Sequence, residues 1–168
     1  QLLKDHHLTT DLTQAVIVAP EQYINLVQEV AAGIKERRPS YTISVYKDTE
    51  VPGDILNSHN VLALGNMSTN AFIRQLYQQW YTLLDLKYPG GDGYVLRSLH
   101  NAYGTGYNVI FLGGSSDAGV EKAVMRFTET IEATIVQPII MPLLLGSPVG
   151  TFTKPVSIIS AVPSASLA

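Results

Sequence analysis

The sequence predicts an α/β domain: a mixed β-sheet with about three helices in the order β-α-β-β-α-β-β-α, then an apolar, Pro-rich extended tail. Three observations predict it. Short apolar runs rich in β-branched residues alternate with longer stretches of helical period. Two of these runs, late in the alternation, are separated only by a loop, so the sheet is mixed rather than wholly parallel. Beyond Glu132 charge almost vanishes and proline recurs, which ends the alternation.

The elements follow in order. Residues 1–13 are polar, include His6 and His7, and read as a flexible lead-in. "AVIVAP" (15–20) is a short buried strand stopped by Pro20. "EQYINLVQEVAAGIKERR" follows, with Tyr23, Ile24, Val27, Val30, Ala31 and Ile34 at helical spacing. Glu21 in its first turn and Lys35, Arg37 and Arg38 in its last suit the helix dipole, and Pro39 ends it. "YTISVYKD" (41–48) alternates as a strand does, and "NVLALGN" (60–66) is a buried one. "STNAFIRQLYQQWYTLL" (68–84) predicts a second helix with Phe72, Ile73, Leu76, Trp80 and Leu83 on one face. "YPGGDG" (88–93) is a turn cluster. "YVLRSLH" (94–100) and "NVIFLGG" (108–114) predict an antiparallel hairpin, and "DAGVEKAVMRFTETIE" (117–132) the third helix. The domain is thus expected over 14–132, and 133–168 as a tail or assembly segment.

That tail has one charged residue, Lys154, and prolines at 138, 142, 148, 155 and 163. An apolar stretch of this kind packs on its own domain, on further chain, or on another copy. Ile139, Leu143, Phe152 and Ile158 are its candidate assembly residues.

Composition excludes several function classes. Charged residues are 15% of the chain and the net charge is −3, with no basic block beyond Lys35, Arg37 and Arg38. Nucleic-acid binding needs clustered cations to displace counterions, so it is not expected. There is no cysteine, which removes disulfides, thiol catalysis and cysteine–zinc sites. No window is apolar enough for a membrane span. The chain opens on Gln1, which reads as a processed chain or a piece of a longer one.

Few motifs carry chemistry. The four histidines, His6, His7, His59 and His100, show no metal-binding spacing. The 14 carboxylates are scattered. "GGSSDAG" (113–119) matches neither the P-loop nor the dinucleotide fingerprint. Ser115, Ser116 and Asp117 suit a helix N-cap there; free amides at the same place would suit an anion, but Asp117 opposes one. No catalytic residue, cofactor or metal is predicted. "GNMST" (65–69) holds the glycosylation acceptor pattern Asn66-Met67-Ser68, or else a tight turn into the helix. Trp80, Tyr81 and Tyr88 lie in an aromatic-rich stretch. Aromatics at helical spacing pack in a core; beside turns they also stack on sugar rings or meet protein.

"GGDGYVLRSL" followed by "NVIFLGGSSDAGVEKAVMRF" resembles a signature of accessory α/β domains in polysaccharide-degrading enzymes. Such domains precede the catalytic barrel in glycoside hydrolases such as β-N-acetylhexosaminidases and α-glucuronidases. The matching residues are Gly93, Tyr94, Gly113, Asp117 and Gly119, with "NVLALGN" as the middle strand and "AVIVAP" as the first; the resemblance covers roughly 14–132. After Gly119 this chain reads Val120-Glu121-Lys122-Ala123, where the family often has a Tyr-Gly segment, and the tail has no counterpart. The resemblance implies a non-catalytic accessory domain of a secreted or extracellular carbohydrate-active protein. Its partners would be the rest of a larger polypeptide, other copies of itself, or a glycan. The alternative is a self-assembling extracellular structural subunit whose tail packs on a neighbouring copy.

Overall fold

In the computed structural model, which describes residues 10–132 together with 140 and 141, the central strands are buried end to end. Strand β1 is Thr10–Asp11, β2 Ala15–Ala19, β3 Ser44–Lys47, β4 Asn60–Gly65, β5 Tyr94–Leu99, β6 Val109–Gly114 and β7 Ile140–Met141. Helix α1 is Ile24–Arg37, α2 Ala71–Gln78 and α3 Asp117–Glu132. Every residue of β2, β4 and β6 is buried, as parallel strands covered on both faces require. They form the middle of a five-stranded sheet in the order β3-β2-β4-β6-β5. All neighbours are parallel except β5, which pairs antiparallel with β6 from Tyr94↔Gly114 to Leu99↔Val109. The fold is therefore a mixed-sheet α/β domain with three helices, in the expected order.

Strand period 2 sorts the core into two layers. Ile17, Leu62, Leu64, Ile110 and Leu112 face one way, against Val27, Val30 and Ile34 of α1 and Val120, Val124 and Phe127 of α3. Val16, Val18, Val61, Ala63, Val109 and Phe111 face the other way, against Phe72, Ile73 and Leu76 of α2 and against Leu84.

The structure corrects the expected boundaries in three places. The first turn after Pro20 is a 3-10 turn, Glu21–Tyr23, so α1 starts at Ile24. Residues 10–13 are part of the domain: Leu12 is fully buried, Thr10 is buried, and β1 pairs antiparallel with β7. Helix α2 ends at Gln78, not at Leu84. The expected stripe breaks there: Phe72, Ile73 and Leu76 are buried, whereas Trp80 is 84% and Leu83 54% exposed. The tail candidates Ile139, Leu143, Phe152 and Ile158 lie outside the described residues.

Candidate functional site

Strand β2 has β3 on one side and β4 on the other, so the winding direction reverses beside it. In open α/β sheets ligands sit outside the carboxyl ends of the strands at that point. The polar groups at this end are joined to one another. Asn70, fully buried, accepts from the Phe72 and Ile73 amides at 2.9 and 3.1 Å and so caps α2. Its amide nitrogen donates to the Val18 and Leu64 carbonyls at 3.2 and 2.9 Å, tying both strand ends to the helix. Asp48 accepts from the Ala71 amide at 2.7 Å. The Tyr23 hydroxyl donates to Asp117 at 2.8 Å, and burial, helped by that carboxylate, pushes its pKa up to about 12.

A cleft of about 470 Å³ opens beside the Tyr23–Asp117 bond, between α1 and α3, and close backbone packing fills the neighbouring junction. At Gly65, φ +116°, a Cβ would stand 2.6 Å from the Thr69 hydroxyl oxygen. A Cβ on Gly114 would stand 2.6 Å from the backbone of Gly119, which in turn packs against the Gly93 carbonyl. The glycines of "GGSSDAG" are thus sites of close backbone approach between β6, α3 and the turn before β5. Ser116 caps α3, its hydroxyl accepting from the Gly119 amide at 3.2 Å. Ser115 bridges the Gly90 amide and the Asp85 carbonyl at 3.0 and 2.8 Å.

Asn66 belongs to this same closure. It is 1% exposed, its Nδ2 donates to the Gly114 carbonyl at 2.8 Å, and its Oδ1 accepts from the Ser68 amide at 2.8 Å. Of the two readings of this pattern the turn is the one drawn in these bonds; a sugar on Nδ2 of the folded domain would have to displace the bond to Gly114.

The exposed chemistry lies on the opposite sheet face, where residues 79–93 run without helix or strand and form a strap beside α2. Its start is a Schellman turn. The Trp80 amide donates to the Tyr77 carbonyl at 3.0 Å and the Tyr81 amide to the Leu76 carbonyl at 2.9 Å. Trp80 therefore occupies the C′ position, at φ +64°, where glycine is usual. The strap then crosses the sheet: Leu84 is buried, its methyls 2.5 and 2.7 Å from where a Gly113 Cβ would be. Asp85 fixes its far end, accepting from the Lys87 and Tyr88 amides, both at 2.7 Å, and from the Tyr77 hydroxyl at 3.1 Å. Burial alone would push this carboxyl up, but those three bonds outweigh it and hold the pKa below the ordinary 3.8.

The three aromatic candidates are not brought together. Trp80 is open to solvent. Tyr81 is half-buried, its hydroxyl bonded to the Ala102 carbonyl at 3.3 Å and its ring edge-on to Tyr103 at 5.7 Å. Tyr88 is half-buried against the core at the other end of the strap. Tyr103, which sequence reasoning passed over inside a loop, is the aromatic that joins this group, at 45% exposure.

The chain matches no family model and no curated protein. Among the described residues, no helix is long and apolar enough to cross a membrane.

Proposed function

We propose that the domain is a non-catalytic accessory module of a secreted carbohydrate-active protein, acting by contact through the solvent face of the strap. One observation carries the reading: the chain's only tryptophan is held out into water from a helix terminus in the left-handed region. A bulky residue at positive φ costs about 1–2 kcal/mol, and a strained backbone persists where its geometry has a use. Glycine would relieve the strain and remove the ring. The carbohydrate class comes from the signature around Gly93, Tyr94, Gly113, Asp117 and Gly119. Flat exposed rings stack on the apolar C–H faces of sugars and on protein surfaces alike.

The test is electrophoresis of the full chain and of Trp80→Ala through native gels holding dissolved neutral or acidic polysaccharides. Retardation that Trp80→Ala abolishes is the expected result. Unchanged mobility in every gel, with Trp80→Ala behaving as the parent, refutes the reading. A second reading, the self-assembling subunit, draws on strand β3, a sheet edge with Val45 47% exposed. A large particle of defined mass in light scattering, unaffected by glycan, would favour it.

A further inference from the structure

A cleft of about 570 Å³ opens between α2, the turn before β4 and the β5–β6 loop. That size falls in the usual range of about 300–1,000 Å³ for small-molecule sites. It lies at the amino ends of the parallel strands, the end opposite the Asn70 junction described above. Its floor is apolar, built on Phe72 of α2. One wall carries the Gln75 and Gln79 amides, the other Asn57 and Asp54, and the Tyr103 ring stands between them. Among the described residues, no Lys, Arg or His lines it.

We propose that this cleft binds a short stretch of an uncharged polysaccharide chain. Each amide offers a donor and an acceptor in one plane, the pairing that neighbouring sugar hydroxyls satisfy. Tyr103 supplies a face for the apolar side of a ring. With Asp54 the one charged residue in its lining among the described residues, the cleft offers no counter-charge for a uronic acid or a sulfate and repels both. A nucleotide is disfavoured for the same reason. The walls are held before any ligand arrives. The Tyr103 hydroxyl donates to the Gln79 side-chain oxygen, which leaves the Gln79 NH₂ as the donor for the cleft. The Thr105 hydroxyl donates to the Leu56 carbonyl and ties the loop to the opposite wall. Tyr81 braces Tyr103 edge-on. Preorganisation of this kind lowers the ordering cost of binding. The inference rests on the accessory-module reading and gives it a ligand class and a place.

The test is isothermal titration of the full chain with neutral hexasaccharides from xylan, glucan, mannan and galactan, and with an alginate hexamer as the anionic counterpart. A neutral hexasaccharide is expected to bind and the alginate hexamer not to. Gln75→Ala and Tyr103→Ala, both at exposed positions, should each weaken binding about tenfold with an unchanged melting temperature. Binding that survives both changes but is lost in Trp80→Ala would remove the cleft and leave the accessory module standing. Preference for alginate, or no binding of any neutral hexasaccharide at millimolar concentration, would overturn the cleft outright. A melting temperature lowered by Tyr103→Ala would leave Gln75→Ala as the deciding variant.

Discussion

The two faces of the sheet are covered in different ways. One carries α1 and α3, two long helices whose buried stripes, Val27, Val30, Ile34 and Val120, Val124, Phe127, keep a helical period throughout. The other carries the short α2 and a strap that buries Leu84 while leaving Trp80, Leu83 and Leu86 in water. The difference teaches where this domain can afford chemistry. The periodic face also exposes two large apolar side chains, Ile24 on α1 and Met125 on α3, but no aromatic ring on those helices is among the exposed large hydrophobics of the described residues. A face held by capping turns and one anchor residue leaves its other large side chains free to meet a partner.

The sharpest way to break this comparison is truncation on each face. Phe127→Ala should cost about 3–5 kcal/mol, because two helices and a sheet cannot close the resulting hole. Leu84→Ala should cost less, about 2–3 kcal/mol, because the strap can settle inward. Urea denaturation measures both; a larger loss for Leu84→Ala would show the strap to be the rigid cover.

Next in size is the response to pH, where the faces should fail at opposite ends of the scale. Asp85 has a depressed pKa, so its contribution is present above pH 3.8, its ordinary value, and is lost as pH falls through the lower folded value. Tyr23 has a raised pKa, so its contribution is full below pH 10.0 and is lost as pH rises towards about 12. Amide NMR should show Lys87 and Tyr88 titrating with a midpoint below 3.8. The junction of α1 and α3 should hold until strongly alkaline pH. A midpoint at or above 3.8 for the strap amides would contradict the bonding assigned to Asp85.

The smallest effect has the opposite sign. Trp80→Gly should stabilise the domain by about 0.5 kcal/mol, since relief of the left-handed strain slightly exceeds the extra freedom of glycine in the unfolded chain. The melting temperature should rise by about 1–2 °C. A fall would mean that the indole contributes packing that its exposure does not suggest.

How far the sequence could be read follows the same division. Strands β2, β4 and β6 were legible because burial on both faces leaves unbroken apolar runs, and the hairpin β5–β6 because Gly and Asn break the pattern between its strands. The end of α2 was not legible. Trp80 and Leu83 continue the spacing set by Phe72, Ile73 and Leu76, and no glycine stands at the turn to announce it. Leu12 was hidden as one apolar residue among polar ones, though it sits in the core. Asn66 shows the limit of a three-residue pattern, which carries no information on whether the amide faces water. The cleft was beyond reach, because its walls come from three separated segments that only the fold brings together.

The short ladder between β1 and β7 has a mechanical consequence. Thr10 faces Met141 and Asp11 faces Ile140, so the strands meet antiparallel and Thr10 and Met141 stand at the same end of the ladder. Tension applied between Thr10 and Met141 would peel the ladder open one pair at a time instead of shearing it. Such a geometry loads the backbone bonds of one pair at a time, the arrangement of a zip and not of a lap joint.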